Sequence, residues 1–274
     1  MLSRAGAGEN GSVTPTRRPL LRGAGALAAV LVMLLAFMSR GDATPRAVRQ
    51  DRPGPVLLVP GYGGTAASFG GLTGRLESTG RQVIVVRLPG DGTGDLRASA
   101  KALQREVQRA LSGGAPSVDV VGYSAGGVVA RYWARNLGGT RVARRIVTLG
   151  SPHHGTVLAT AGRVFGPVCT LGCRQLAPDS DLLRRLNHGD ETPDGPRWLS
   201  IWSTQDEVVT PAETARLDGA INVVVQAICP HVLVYHGDFP RTPLDVGLLL
   251  RALGPGAIPQ PTGADCADLA FAGG

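Results

Sequence analysis

The sequence predicts an α/β fold in which a mostly parallel central sheet carries helices on both faces. Short continuous apolar runs alternate along the chain with longer segments whose apolar residues recur at helical spacing. A continuous apolar run is typical of a strand that is buried on both faces, as strands of parallel sheets are. Glycine and proline follow most of these runs, so functional loops are expected at the carboxyl ends of the strands. With 274 residues, 43% of them apolar, the chain is long enough for a large core.

The first 43 residues are typical of a targeting segment. Arg17 and Arg18 precede an uncharged apolar run over residues 24–38, and small residues follow that run. The run is shorter than the ~20 residues of a membrane-spanning helix and suits the core of a signal peptide, while the paired arginines resemble a twin-arginine signal. We predict export with cleavage after residue 43, so that the protein is secreted. The alternative is an uncleaved N-terminal membrane anchor.

Cleavage at that point would leave a linker at residues 44–54 and one folded domain at residues 55–274. Residues 1–43 hold five arginines and two acidic residues, so their removal lowers the net charge from +7 to +4. The remaining chain has no dense basic run interleaved with aromatic residues. This composition argues against a protein that binds nucleic acid.

All four cysteines follow the targeting segment, and an even number in an exported chain favours disulfides. The sequence permits three pairings, of which we favour Cys169 with Cys173 and Cys229 with Cys266. A zinc site is disfavoured because the second pair is widely separated and no histidine stands at a matching spacing. We therefore expect no bound metal.

The domain is predicted to begin with a buried strand at residues 56–59. The loop that follows, Pro60-Gly61-Tyr62-Gly63-Gly64-Thr65, has little side-chain bulk. Such a loop at the end of a strand leaves backbone N–H groups free to bind an oxyanion. Residues 68–78 then predict a helix, and residues 82–88 predict a second strand.

The next helix is predicted from an N-cap at Asp95 to about Leu111. A strand at residues 118–121 follows and leads directly into Gly122-Tyr123-Ser124-Ala125-Gly126, a G-x-S-x-G pattern before small helix-forming residues. Strand, tight turn and helix in this order would hold the Ser124 hydroxyl clear of the sheet in a strained backbone conformation. The alternative is a glycine-rich turn with a solvent-facing serine, which would need neither a strand before it nor a helix after it. We therefore predict that Ser124 is a nucleophile.

The second half of the domain continues the alternation with less regularity. Further strands are predicted at residues 145–149, 198–202 and 221–225, and a closing helix is predicted at about residues 244–253. From residue 157 to residue 197 the periodicity fades, apart from a helix at residues 181–186. A Pro/Gly-rich tail that contains Cys266 is expected to end the chain.

Five segments, which together span nearly all of residues 55–253, carry a resemblance to a known family. They are L-L-V-P-G-Y-G-G-T (57–65), V-G-Y-S-A-G-G (121–127), T-L-G-S-P-H-H-G-T (148–156), S-T-Q-D-E-V-V-T-P (203–211) and R-L-D-G-A-I-N-V (216–223). With these segments the chain resembles the α/β-hydrolase superfamily and, within it, the small secreted bacterial lipases of lipase class 2. The resemblance implies an α/β-hydrolase fold and a serine hydrolase that cleaves lipid esters such as acylglycerols through an acyl-enzyme, without a cofactor.

The resemblance places a catalytic triad on Ser124, Asp206 and His231, in the chain order of nucleophile, acid and base. A serine hydroxyl is a poor nucleophile until an imidazole accepts its proton, and a buried carboxylate must orient that imidazole. His236 is a rival for the base. His153 belongs to a segment that is structural or lines the substrate site in the family.

The oxyanion hole is expected to use the backbone N–H groups of Ala125 and Tyr62. Many relatives have His-Gly where this chain has Pro60-Gly61. Pro60 carries no N–H, but the expected donor comes two residues later. The departure therefore leaves the inferred mechanism intact.

The stretch from residue 157 to residue 179 is the candidate cover over Ser124. It shows no long helical period, and a Cys169–Cys173 bridge would clip it, so we predict little or no lid. Phe165 and Val168 are expected on the rim of an open acyl groove.

The expected partners are a lipid ester and a membrane or lipid surface, with the protein itself a monomer. An acyltransferase and a non-catalytic, membrane-held binding protein of the same fold are the alternative functions.

Overall fold

The computed structural model describes residues 48–165 and 169–274, except for the side chain of Phe165. Its described part is built on a six-stranded sheet, in the order β2-β1-β3-β4-β5-β6, whose neighbouring strands are all parallel. The strands are β1 (Val56–Val59), β2 (Val83–Val85), β3 (Val118–Tyr123), β4 (Ala143–Leu149), β5 (Arg197–Trp202) and β6 (Ile221–Val224). The targeting segment that the sequence predicts at residues 1–43 lies outside the described residues.

Helices cover both faces of the sheet. Leu57 and Val59 point into one core and Val56 and Leu58 into the other, because successive residues of a strand face opposite sides. The α-helices are α1 (Leu72–Glu77), α2 (Leu96–Ser112), α3 (Ala125–Asn136), α4 (Val157–Phe165), α5 (Leu171–Gln175), α6 (Asp181–Leu186), α7 (Val225–Ile228), α8 (Pro243–Leu253) and α9 (Cys266–Gly273). Helices α2, α3 and α6 pack in the first core, and α1, α8 and α9 pack in the second.

Short 3₁₀ helices complete the described elements, at Ala66–Phe69, Gly139–Arg141, Ala212–Ala215, His236–Asp238 and Gly263–Asp265. Within the described ranges, no helix combines the length and the apolar character that crossing a bilayer requires.

The predicted α/β fold, with its mostly parallel sheet and helices on both faces, is confirmed. The side chain of Asp95 accepts a hydrogen bond from Arg97 N, so this residue caps α2 as predicted. The helix predicted at residues 68–78 is instead a 3₁₀ turn followed by α1, because Gly70 has a φ of 47° and interrupts the helical backbone. Strand β2 is shorter than the apolar run that predicts it.

Four short helices were not expected from the sequence, and one of them, α7, begins at Val225, where the sequence predicts the end of a strand. Helices α4 and α5 lie in the stretch where the helical period fades, and α9 lies in what the composition suggests is a loose tail. Helix α9 packs closely on α8: a Cβ added to Gly247 would lie 1.9 Å from the carbonyl oxygen of Leu269. These helices are stabilised by tertiary packing, which a local pattern does not reveal.

Both favoured disulfides are present. Cys169 pairs with Cys173 and Cys229 pairs with Cys266, with Cα–Cα distances of 5.3 and 5.4 Å. The first bridge closes a small loop at α5, and the second ties the segment after α7 to the first residue of α9. The second bridge therefore links two parts of the chain that are 37 residues apart.

Replacing Cys229 and Cys266 together by serine is expected to lower the free energy of unfolding by about 3–4 kcal/mol, because the bridge restricts a long loop in the unfolded chain. Urea unfolding followed by circular dichroism measures this change. The matched control is the double serine variant at Cys169 and Cys173, for which the same loop argument gives about 2 kcal/mol. Equal losses in the two variants would contradict a loop-closure origin, and four free thiols in a non-reducing peptide map would contradict the bridges.

Candidate active site

Ser124 lies at the sharp turn between β3 and α3, as the sequence predicts. Its φ of 54° makes it the single non-glycine residue with positive φ in the described part of the chain. The turn needs small neighbours, since a Cβ on Gly122 would lie 2.5 Å from Gly127 Cα and a Cβ on Gly126 would lie 2.1 Å from the Val59 carbonyl oxygen. Side chains at these positions would force the helix away from the sheet. The strained turn presents the Ser124 hydroxyl at the carboxyl edge of the sheet.

Ser124, His236 and Asp206 form one hydrogen-bonded row. The Ser124 Oγ is 2.9 Å from His236 Nε2, and His236 Nδ1 is 2.9 and 3.0 Å from the two carboxylate oxygens of Asp206. An ionised carboxylate only accepts hydrogen bonds, so Nδ1 carries the ring proton and Nε2 presents a lone pair. That lone pair accepts the hydroxyl proton of Ser124. The arrangement is the one a base-activated serine requires.

Asp206 is held by the turn that follows β5. Its side chain is 2% exposed. The Oδ1 atom accepts hydrogen bonds from Val208 N at 2.9 Å and from Val209 N at 2.8 Å, in addition to the imidazole of His236. A buried carboxylate needs such donors, because an unpaired buried charge is costly. These bonds fix the carboxylate on the Nδ1 side of the ring.

The expectation that His231 is the residue facing Ser124 and Asp206 is wrong, because His236 occupies that place. After β6 the chain forms the short helix α7 and then a turn that begins at Cys229, which is bridged to Cys266 at the start of α9. His231 is exposed in that turn, and it lines a groove beside the bridge. The chain returns to the sheet edge only five residues later.

The segment before His236 is fastened to the end of β5. The backbone N–H of Val234 donates to Gln205 Oε1 at 3.2 Å, and the Val234 carbonyl accepts from the hydroxyl of Ser203 at 2.7 Å. The backbone N–H of His236 donates to Glu207 Oε2 at 3.0 Å. Residues next to Asp206 therefore hold the histidine segment, so the carboxylate and the imidazole are positioned together.

Tyr123 is a site residue that the sequence reasoning missed. Its hydroxyl donates to the His236 carbonyl at 2.9 Å, and its ring centroid lies 5.3 Å from that of His236. Burial raises the pKa of Tyr123 to about 12, and the nearby charge of Asp206 adds to this, so the phenol keeps its proton as a donor. The sequence signal for Tyr123 was its position directly before Ser124. Glu207, which the sequence reasoning also missed, lies directly after Asp206.

The loop after β1 lies against Ser124. β1 and β3 are neighbours, with Val59 paired to Gly122, and a Cβ on Gly61 would lie 2.9 Å from the Ser124 Cβ. Within the described residues, the N–H of Tyr62 donates no hydrogen bond. Ala125 opens α3, where the first N–H groups have no acceptor within the helix. The two predicted oxyanion donors therefore lie on the segments that flank Ser124.

An apolar cavity of about 180 Å³ opens beside Ser124. It lies between α4, α5 and the turn after Asp206. Its other lining residues are Tyr62, Pro152, Thr156, Leu158, Ala159, Cys173, Leu176, Val208 and Val209. Val168 and the side chain of Phe165, which the sequence analysis expected on the rim, lie outside the described part of the structure.

His153 does not line this cavity, and the expectation that it contacts substrate is wrong. It is completely buried, and its Nε2 is 3.0 Å from the hydroxyl of Thr148. Its carbonyl accepts hydrogen bonds from Asn187 and from the buried guanidinium of Arg131. Burial lowers the pKa of His153 well below its ordinary value, and the charge of Arg131 adds to this, so the ring is neutral. His153 is part of the packing beneath the site.

Comparison with known proteins gives the same fold. A family model described as the alpha/beta hydrolase family matches residues 56–262. The crystal structure of lipase B from Aspergillus fumigatus superposes with a TM-score of 0.63 at 22% identity, covering 81% of this chain and 61% of that chain.

Two further solved structures are similar. The mature form of the lipase BlEst2 from Bacillus licheniformis has a TM-score of 0.61 at 15% identity, covering 73% of this chain and 91% of that chain. MGS-MChE2, an alpha/beta hydrolase enzyme from a sediment metagenome of the Mar Chica lagoon in Morocco, has a TM-score of 0.50 at 19% identity, with 73% and 90% covered. The family match extends over well more than half of the sequence, and the chain therefore belongs to the alpha/beta hydrolase family.

Proposed function

We propose that this protein is a secreted serine hydrolase that cleaves carboxylic ester bonds of lipids. The hydrogen-bonded row of Ser124, His236 and Asp206 carries the proposal. The similar solved structures include two lipases, which supports an ester as the substrate. Two disulfides support export to an oxidising compartment.

In the first half of the reaction, Ser124 Oγ attacks the ester carbonyl carbon while His236 Nε2 takes the hydroxyl proton. The carbonyl oxygen becomes an oxyanion, which the N–H groups of Tyr62 and Ala125 stabilise. Asp206 stabilises the imidazolium that forms. When the tetrahedral intermediate collapses, the bond to the alcohol breaks and His236 returns its proton to the departing alkoxide.

The acyl group is then attached to Ser124 as an ester. Water attacks this acyl-enzyme while His236 Nε2 again accepts a proton, and the same N–H groups stabilise the second oxyanion. The bond to Ser124 breaks, His236 reprotonates the serine, and a carboxylic acid leaves. The sum of the two halves is the hydrolysis of one ester to one alcohol and one acid.

The surroundings of Ser124 support a lipid acyl group. The cavity beside it is lined almost entirely by apolar atoms, and its two exposed apolar side chains, Tyr62 and Leu158, reach solvent. Val157, which precedes Leu158, and Tyr235, which precedes His236, are also exposed. Exposed apolar side chains near a site favour contact with an apolar ligand or a lipid surface. Acylglycerols fit this environment better than charged or sugar esters.

The cover beside Ser124 is anchored at several points. The hydroxyl of Thr156, just before α4, donates to the Val208 carbonyl at 2.6 Å, and Val157 N donates to the Thr210 carbonyl at 2.9 Å. Arg163 near the other end of α4 pairs with Asp179 at 3.0 Å. A lid that swings open needs free hinges, which these contacts oppose.

A panel of nitrophenyl esters with acyl chains from two to sixteen carbons, together with an emulsified triglyceride, tests the proposal. We expect hydrolysis of short and long esters and of the emulsion. The rate for a mid-chain ester should rise smoothly across its solubility limit, because the site is open in water. A steep jump at that limit would show that a lid exists.

The same panel, repeated with an added alcohol as acceptor, separates the alternatives. If acyl transfer to an added alcohol outpaced hydrolysis, the protein would be an acyltransferase. If no ester reacted, the proposal of a hydrolase would fail and a binding protein of this fold would remain. The intact row at Ser124 favours catalysis over that second outcome.

A further inference from the structure

The side chain of Tyr62 is tied to the loop that the Cys169–Cys173 bridge closes. The Tyr62 hydroxyl is 2.8 Å from Thr170 Oγ1, and Thr170 Oγ1 is 2.5 Å from the Thr93 carbonyl oxygen. A carbonyl only accepts, so the single hydroxyl proton of Thr170 is used on Thr93. Tyr62 must therefore donate to Thr170. The two bonds form a directed chain from the loop after β1 to the loop after β2.

The loop that carries Thr170 is itself fixed. Gly172 N donates to the Thr93 carbonyl at 3.1 Å, and a Cβ on Gly172 would lie 2.6 Å from the carbonyl oxygens of Thr93 and Gly94. The bridge closes the loop between Cys169 and Cys173. Two hydrogen bonds therefore hold Thr170 at the Thr93 carbonyl: one from its own hydroxyl and one from the backbone N–H of Gly172.

The Thr93 end of this chain of hydrogen bonds is also held in place. Asp91 Oδ1 accepts from the Thr93 backbone N–H at 3.0 Å and lies 2.6 Å from the Thr93 hydroxyl. The neighbouring Gly63 N donates to the Gly92 carbonyl at 3.2 Å. Tyr62 is thus fixed through its ring by Thr170 and through its backbone by the bond from Gly63.

We propose that Thr170 is a positioning residue, which holds Tyr62 so that its free N–H points at the oxyanion that forms on Ser124. The inference rests on the proposed function. An oxyanion donor acts only at hydrogen-bond distance from the developing charge, and loss of one such donor lowers kcat by about 10²–10³-fold. Removing the tether leaves the donor in place but lets it move. The expected loss is therefore smaller, and it falls on kcat because the bond strengthens in the transition state.

The experiment compares Thr170→Val, Tyr62→Phe and their combination in the ester assay. Thr170→Val is expected to lower kcat about tenfold with KM within about twofold, since small misplacements of a catalytic group cost up to about 10²-fold. Tyr62→Phe removes the same link while the ring stays in the cavity wall. In the Thr170→Val background it should have no further effect, because two changes in one chain of bonds are not additive.

Thr79→Val is the matched control. Thr79 also donates its hydroxyl to a carbonyl, that of Leu76 at 2.6 Å, but at the end of α1. It should leave kcat and KM unchanged. A Thr170→Val variant with wild-type kcat would overturn the proposal, and so would one that raises KM alone, because that result describes a residue of the cavity wall.

Backbone order parameters at residues 61–64, measured by nuclear magnetic resonance relaxation, add a readout that does not depend on turnover. In Thr170→Val these order parameters should fall, while in Thr79→Val they should not. If the wild-type protein hydrolysed no ester, the proposed function would fail, and lowered order parameters would still establish the tether. Unchanged order parameters would overturn the tether whatever the activity.

Discussion

Ser124→Ala is expected to lower the rate of ester hydrolysis by about 10⁴-fold or more. The change removes the one oxygen that His236 Nε2 contacts at 2.9 Å, so no covalent intermediate can form. The backbone of the turn is set by its close glycine neighbours and not by the hydroxyl, because no capping bond from the Ser124 side chain to α3 is present. The variant should therefore fold and melt as the wild-type protein does. Initial rates on a short nitrophenyl ester, together with a thermal melt, measure both effects.

Ser78→Ala is the control for this variant. Ser78 is an exposed serine at the end of α1 whose hydroxyl donates to the Arg75 carbonyl. Its replacement should leave the rate unchanged. A folded Ser124→Ala protein that kept more than about a tenth of the wild-type rate would show that another group is the nucleophile.

His236→Ala is expected to lower the rate by about 10³–10⁴-fold, whereas His231→Ala should leave it close to the wild-type value. Without the imidazole, no base accepts the proton of Ser124, and the charge of Asp206 loses its partner. His231 is exposed, so its truncation should affect neither fold nor rate. Parallel rate measurements on the two purified variants decide between the two histidines.

His236 is buried against Tyr123 and Phe239, so its truncation removes packing as well as the base. A His236→Gln variant keeps most of the side-chain volume and separates these effects. It should be as inactive as His236→Ala while melting closer to the wild-type protein. If His231→Ala were inactive and His236→Gln retained activity, the observed row of side chains would not be the reacting one.

The sequence was sufficient to predict most of the sheet. Strands such as β1 and β3 are buried on both faces, so each appears as an unbroken apolar run. The G-x-S-x-G pattern likewise predicts a turn, because a side chain at Gly122 or Gly126 would collide with backbone. Asp206 follows its strand within a few residues, so the chain itself brings it to the edge where Ser124 lies. Each of these features depends on neighbours along the chain.

Helices α4, α5 and α9 could not be predicted from local pattern. They are short, and short helices in water are marginal unless other elements cover them. Helix α9 depends on close packing against α8, and the α5 region on the bonds that join Gly172 and Thr170 to Thr93. Such partners are distant in the sequence.

The choice between His231 and His236 also depended on the tertiary structure. Both residues follow β6 at a distance that allows contact with Asp206, and chain order alone favours neither. The path of the chain between β6 and His236 is fixed by contacts distant in the sequence. These are the bridge from Cys229 to Cys266 and the hydrogen bonds that join Val234 to Gln205 and Ser203. The sequence by itself therefore determined the fold and the placement of Ser124 and Asp206 at one edge of the sheet, because these follow from local strand and turn chemistry. Only the tertiary structure decided which histidine lies between Ser124 and Asp206, because the path of a loop is set by contacts between residues far apart in the chain.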